Sequence, residues 1–126
     1  MVQVLYSGDP GELELSGTRR ELLALGQLLR GKAGSCDLSE NQHPFPYEGS
    51  LSGVAFREDR EHDTVSIVAE DRILWIRGGR EALYILAENI EDFAAEADAS
   101  HHCHVDFPTY DYIAPESNPL VITFMR

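Results

Sequence analysis

Basic residues are scarce in this sequence. Its 126 residues include 10 lysines and arginines against 22 aspartates and glutamates, so the formal net charge at pH 7 is −12. Proteins that bind nucleic acid or anionic membranes need clustered positive charge where they meet phosphate groups. We therefore exclude nucleic acid and a membrane surface as partners. The hydrophobic content of 43% is ordinary for a globular protein, so we expect one folded domain over residues 1–126.

Long apolar segments and cysteines are scarce as well. No apolar run approaches the ~18 residues that a membrane-spanning helix needs. Residues 1–10 lack the charged and apolar regions of a signal peptide. We therefore expect a cytoplasmic protein. The sequence has two cysteines, Cys36 and Cys103, and in a reducing compartment we expect both to be free thiols.

Motifs that carry catalysis are also missing. The sequence has no glycine-rich phosphate loop followed by Lys and Ser or Thr, no Cys-x-x-Cys pair and no Gly-x-Ser-x-Gly nucleophile motif. We therefore expect a protein that is not an enzyme and needs no cofactor.

A pattern of strand followed by helix occurs twice along the chain. Residues 13–30 begin with strand-like alternation and continue with apolar residues at helical spacing, and residues 73–90 repeat this order. With a shift of 61 positions, Gly17 aligns with Gly78. The spacing therefore predicts a duplicated unit.

The duplication predicts the architecture. We expect two pseudo-repeats, residues 1–63 and residues 64–126, each with the order strand, strand, helix, long loop and strand. The predicted fold class is α+β, with both helices packed on one face of a largely antiparallel sheet.

The second predicted helix concentrates acidic residues on one side. Between Arg80 and Arg126 the chain has no lysine or arginine, so no basic side chain on this helix can pair with these acids. The face is either a solvated surface or a docking surface for a basic partner, where exposed apolar side chains supply affinity and charge speeds the encounter. The candidate docking residues on this helix are Glu81, Tyr84, Ile85, Glu88, Glu91 and Asp92.

An aromatic and acidic loop near the C terminus extends this hypothesis. Tyr110, Asp111 and Tyr112 either contribute to the partner surface or cover an exposed strand edge. The residues alone do not distinguish these two roles.

A histidine cluster precedes that loop. In a strand, His102, His104 and Asp106 project to one face, and two imidazoles with a carboxylate suit a zinc ion that activates water. The other interpretation is that His104 and Asp106 form hydrogen bonds that tether the following loop. We favour no metal at this cluster, and a small metal-dependent hydrolase is the alternative.

Four segments in the same order resemble the Immunity protein 32 family of bacterial polymorphic toxin systems. They are ELSGTRRELLAL at residues 14–25, LWIRGGREAL at 74–83, HCHVD at 102–106 and YIAPESNPLVI at 112–122. The resemblance implies an antitoxin that is made in the cytoplasm beside a toxin and inhibits it by binding.

The resemblance and the acidic face lead to the same expectation. The protein is expected to bind and neutralise a cognate bacterial toxin with a basic surface, without catalysis. One alternative is the metal-dependent hydrolase. Another is a homo-oligomeric scaffold, such as a homodimer, in which open sheet edges pair between subunits.

Overall fold

A computed structural model describes residues 2–8, 11–43, 45, 47–96 and 102–124 of the chain. These residues form helices and strands in the proportions of an α+β protein, so the predicted fold class is confirmed. The elements are β1 (Gln3–Tyr6), β2 (Leu13–Gly17), α1 (Arg19–Leu29), β3 (Ala33–Asp37), β4 (Gly49–Ser50), β5 (Gly53–Glu58), β6 (Val65–Glu70), β7 (Ile73–Gly78), α2 (Arg80–Glu96), β8 (His102–Val105) and β9 (Leu120–Phe124).

Local sequence signals explain where the helices begin. The hydroxyl of Thr18 accepts a hydrogen bond from the backbone N–H of Glu21 at 3.2 Å, and the Glu21 carboxylate accepts one from the N–H of Thr18 at 2.9 Å. This capping box satisfies N–H groups that the first turn of α1 leaves without partners. Before α2, a Cβ atom at Gly78 would lie 2.5 Å from the carbonyl oxygen of Thr64, so the close approach of the two chain segments requires glycine there.

The strands form two sheets, whereas we expected one. The first sheet has the order β4-β1-β2-β9-β8, and the second has the order β3-β5-β7-β6. Among the described strand pairs, β2–β9 and β5–β7 are parallel and the others are antiparallel, so the pairing is largely antiparallel as predicted. In both sheets, a strand of one half of the chain pairs with a strand of the other half.

Each sheet therefore contains strands from both halves of the chain. In the first sheet β1 and β2 meet β9 and β8, and in the second sheet β6 and β7 meet β5 and β3. When each strand of β1-β2-β9-β8 is replaced by the equivalent strand of the other half, the order becomes β6-β7-β5-β3. This is the order of the second sheet. This correspondence supports the proposed duplication within one domain, which stays a prediction.

The two helices lie side by side and run antiparallel. Arg19 at the start of α1 donates a hydrogen bond from Nη1 to the carbonyl oxygen of Ala95 at 3.1 Å, near the end of α2. Arg30, just after α1, lies over the ring of Tyr84 in the first turns of α2. Both helices share one hydrophobic core with strands of the two sheets. Within the described ranges, no helix is long and apolar enough to cross a membrane.

Candidate partner-binding surface

The exposed side of α2 carries a continuous row of acidic residues. Side chains three or four positions apart lie on the same side of a helix, and this row keeps that spacing from the first turn to the last. In the part of the chain that the structure describes, none of its carboxylates forms an ion pair. Ile85, with 43% of its surface exposed, is the apolar member. This acidic strip consists of Glu81, Ile85, Glu88, Asp92 and Glu96.

Glu91, predicted as part of the docking face, joins the two helices instead. Its carboxylate accepts hydrogen bonds from Arg30 Nη2 at 2.5 Å, Arg30 Nε at 3.2 Å and Gln27 Nε2 at 2.8 Å. Its side chain is 15% exposed. The pKa of Arg30 is raised, mainly because its guanidinium donates hydrogen bonds to Glu91. A projection of α2 alone does not include Arg30, which follows the end of α1.

Gly26 makes room for that contact. A Cβ atom at Gly26 would lie 2.5 Å from Cγ of Glu91. The absence of a side chain on α1 therefore allows the Glu91 carboxylate to reach across the helix pair to Arg30.

Tyr84 lies at the border between the acidic strip and α1. It is 38% exposed. Arg80 Nη1 donates a hydrogen bond to its hydroxyl at 2.8 Å, and the guanidinium carbons of Arg80 and Arg30 each lie 5.6 Å from its ring centroid. Arg80 is in turn paired with Glu58 at 2.7 Å. Tyr84 is thus an aromatic side chain held in place beside the strip, with part of its surface free.

A groove opens between the C-terminal half of α2 and β8. Its volume is about 450 Å³. Asp92 and Glu96 belong to both the acidic strip and the groove, so the two features are continuous. Phe93 stacks on Phe124 with ring centroids 5.0 Å apart, which gives the groove a rigid apolar component. The α2–β8 groove is lined by Asn89, Asp92, Phe93, Glu96, His102, Cys103 and Tyr110.

The loop after β8 covers a strand edge. The backbone N–H of Val65 donates to the carbonyl oxygen of Tyr112 at 2.7 Å, and the N–H of Ile67 donates to Oγ of Ser117 at 3.0 Å. Residues 112–118 therefore lie along the outer side of β6. Two roles were possible for this loop, and its hydrogen bonds show that it covers the edge of β6.

The three loop residues predicted for partner binding differ in exposure. Tyr112 is 8% exposed, Asn89 Nδ2 donates a hydrogen bond to its hydroxyl at 2.6 Å, and burial raises its pKa to about 12. Tyr112 is thus a core residue and is not part of the surface that we propose. Tyr110 is half-buried and lines the groove, with its ring centroid 5.7 Å from that of Tyr112. Asp111 is exposed next to them.

The histidine cluster lies on the edge strand β8. The rings of His102 and His104 are both exposed and meet edge to face at 5.0 Å. Asp106 follows the strand, and its Oδ1 is buried without a hydrogen-bond partner. The described residues contain no group of three His, Cys, Asp or Glu side chains placed to hold a metal ion. His101, the remaining member of the cluster, lies outside the described residues.

Most of the groove was missed by the sequence argument. Cys103 was predicted only to be a free thiol, and neither Phe93 nor Asn89 was among the candidate residues. Asn89, Phe93 and Glu96 are spaced so that they share one side of α2, next to or within the acidic strip. This spacing could have indicated that they line a common surface. Their proximity to β8, however, depends on tertiary packing that a helical projection does not contain.

Comparison of the sequence with models of protein families identifies the family. The model of Immunity protein 32 matches residues 12–70 and 74–125. The chain belongs to the Immunity protein 32 family. Membership indicates an immunity role, and hence a toxin as partner. No curated protein and no solved structure matches the chain.

The match includes the candidate partner-binding surface. Residues 74–125 include α2, β8 and the covering loop, so the acidic strip and the α2–β8 groove lie within the part that matches the family.

Proposed function

We propose that this member of the Immunity protein 32 family neutralises a cognate toxin by direct binding, without catalysis, and that the acidic strip meets the toxin. The observation that carries the proposal is the strip itself. Its carboxylates are exposed and, among the described residues, none of them forms an ion pair, whereas the neighbouring Glu91 is paired with Arg30. A face of this kind is available to an external cation.

The chemistry of the strip defines the partner. Carboxylates spaced along one side of a helix produce a negative potential that accelerates encounter with a basic surface. Ile85 and the free part of Tyr84 supply apolar area near the centre of the face. We infer a toxin with a basic surface, such as a nuclease whose active-site groove binds phosphate, where the carboxylates would occupy the place of the phosphates.

We also propose the cellular compartment in which the protein acts. The protein would act in the cytoplasm, where the toxin-producing cell must be protected. Cys36 and Cys103 are free thiols, which suits a reducing compartment.

A charge-reversal variant tests the acidic strip. The triple variant Glu81→Lys, Glu88→Lys, Asp92→Lys should weaken binding to the toxin domain encoded beside this gene by ~100-fold, mainly through slower association. Surface plasmon resonance at two salt concentrations measures the rates, and the wild-type affinity should fall as salt increases. Co-expression should show reduced protection of cells from the toxin.

A matched variant controls for total charge. Asp37, Glu48 and Glu70 are exposed and belong to neither α2 nor the α2–β8 groove, and replacing all three by Lys changes the net charge equally. This control should bind within ~3-fold of wild type, because salt screens charges that are far from the interface. Equal losses in the two triple variants would show that net charge acts without a specific face. Unchanged binding of the strip variant would exclude this face.

A further inference from the structure

Strand β8 is an open edge. The order of the first sheet ends at β8, and within the described ranges no backbone group bonds to its outer side. The edge of the second sheet at β6 is different, because residues 112–118 cover it. An unpaired edge presents a row of N–H and C=O groups that can add a strand from another chain.

The side chains of β8 alternate across the sheet. Cys103 aligns with Ile122, which is buried, and it lines the α2–β8 groove. His104 aligns with Val121 on the opposite face and is exposed. A strand added at β8 would follow the same alternation, so every second side chain would point toward α2 and the groove.

The groove beside this edge is suited to a cationic side chain. Asp92 and Glu96 are exposed on its helix side. Phe93 and Tyr110 supply apolar and aromatic surface next to these carboxylates. The aliphatic part of a lysine or arginine can lie on such surface while its charged group reaches the acids.

We infer that β8 accepts an extended basic segment of the toxin as an additional strand, with a lysine or arginine of that segment in the α2–β8 groove. The inference rests on the proposed function, and adds to it the mode of binding. Backbone hydrogen bonds along β8 provide affinity, and the groove selects a cation at one position of the added strand.

Charge argues against a second copy of this protein as the occupant. Two copies paired through β8 would bring the acidic groove of each near that of the other, and no lysine or arginine occurs between Arg80 and Arg126 to offset the repulsion. Like charges brought together at an interface oppose association. A toxin with a basic segment meets the same groove with opposite charge.

Another sheet edge, β3, serves as an internal comparison. It ends the second sheet as β8 ends the first. The last two turns of α1 contain no aspartate or glutamate, whereas the end of α2 carries Asp92 and Glu96. The β3 edge therefore lacks the pair of helix carboxylates that we expect to select a cation beside β8.

The two cysteines report on the two edges. Cys103 lies on β8 and Cys36 on β3, both are free and half-buried, and burial raises the pKa of each thiol. Alkylation by iodoacetamide, followed by mass spectrometry, is compared for the protein alone and in complex with the toxin domain. Binding at β8 should slow alkylation of Cys103 by ~10-fold or more and leave Cys36 unchanged, because an added strand excludes the reagent.

Hydrogen exchange and one variant complete the test. Amides of residues 102–105 should gain protection in the complex, while those of residues 33–37 should not. Glu96→Lys should weaken toxin binding ~10-fold or more, and Glu61→Lys should not.

The outcomes separate this inference from the proposed function. A complex in which Cys103 stays reactive and residues 102–105 exchange freely would overturn the inference and leave the proposed function standing. Absence of any complex would overturn both. Protection of Cys103 in the protein alone that increases with concentration would assign the edge to a second copy and overturn the inference.

Discussion

Tyr112 is a buried residue of the segment that covers β6, and its hydroxyl accepts the hydrogen bond from Asn89 on α2. Replacing Tyr112 by Phe leaves the Asn89 amide without this acceptor. We expect the free energy of unfolding to fall by ~1 kcal/mol at pH 7, the usual contribution of such a bond. Urea unfolding followed by circular dichroism measures the change. In a double-mutant cycle with Asn89→Ala, the two losses should not add, because the variants remove the same contact.

The pH dependence of this variant follows from burial of the phenol. The pKa of Tyr112 is about 12 in the folded protein, compared with ~10 for an unfolded tyrosine. Above pH 10 the unfolded state releases a proton that the folded state retains, so wild-type stability falls as pH rises toward 12. The Phe variant lacks this contribution, so its deficit relative to wild type should shrink between neutral pH and about pH 11. A constant deficit would contradict the assignment.

Glu91 and Glu88 are neighbours on α2 with different roles. Glu91 accepts hydrogen bonds from Arg30 and Gln27, whereas Glu88 is exposed. Glu91→Gln should therefore lower the free energy of unfolding by ~1 kcal/mol, the upper range for a partly exposed ion pair. The matched change Glu88→Gln should have an effect within ~0.5 kcal/mol, as expected for an exposed surface position. Equal effects in urea unfolding would show that the interhelical pair contributes nothing specific.

At the scale of elements, local patterns predicted helices and hairpins well. Apolar residues at helical spacing identified α1 and α2, and alternation identified β2 and β7. These signals depend on neighbours within a few positions, so they are present in any window of the sequence. The two pairs of strands that join the halves, β2–β9 and β5–β7, were not predicted. Alternation tells which face of a strand is buried, but it does not identify a distant partner.

In the candidate site, too, features within one element could be predicted and contacts between distant elements could not. The acidic strip could be derived from the sequence, because its members share one side of a single helix. The pairing of Glu91 with Arg30, the burial of Tyr112 and the groove beside β8 could not, because each depends on two elements that are far apart in the chain. Helix projection therefore identifies which acidic side chains share one side of α2, but it does not show which of them are paired with other elements.

At the scale of the whole molecule, the pairing of the arginines determines which acidic residues stay unpaired. Arg30 pairs with Glu91, Arg80 with Glu58 and Arg72 with Glu40, while Arg19 bonds to the end of α2. These cations are used in contacts within the chain. Among the residues that the structure describes, none of these cations forms an ion pair with a carboxylate of the acidic strip, which therefore keeps its negative charge on the outer side of α2.

The exchange of strands between halves predicts how the whole molecule folds. Residues 1–63 alone contain β1, β2, β3 and β5, but they lack the parallel partners β9 and β7. Residues 64–126 alone lack β2 and β5 in the same way. Each isolated half would expose a large part of the shared core, and small units that bury too little apolar surface do not fold stably. We expect each half to show no cooperative unfolding by circular dichroism.

Mixing the two halves should restore the fold, because all strand pairs can then form between the fragments. An equimolar mixture should give dispersed amide signals in NMR spectra and a cooperative transition whose midpoint rises with concentration, as required when folding is coupled to association. The break between residues 63 and 64 falls in the segment between β5 and β6 and interrupts no strand. Cooperative unfolding of either half by itself would show that the duplicated unit is an independent domain, and would contradict the prediction of one domain built from both halves.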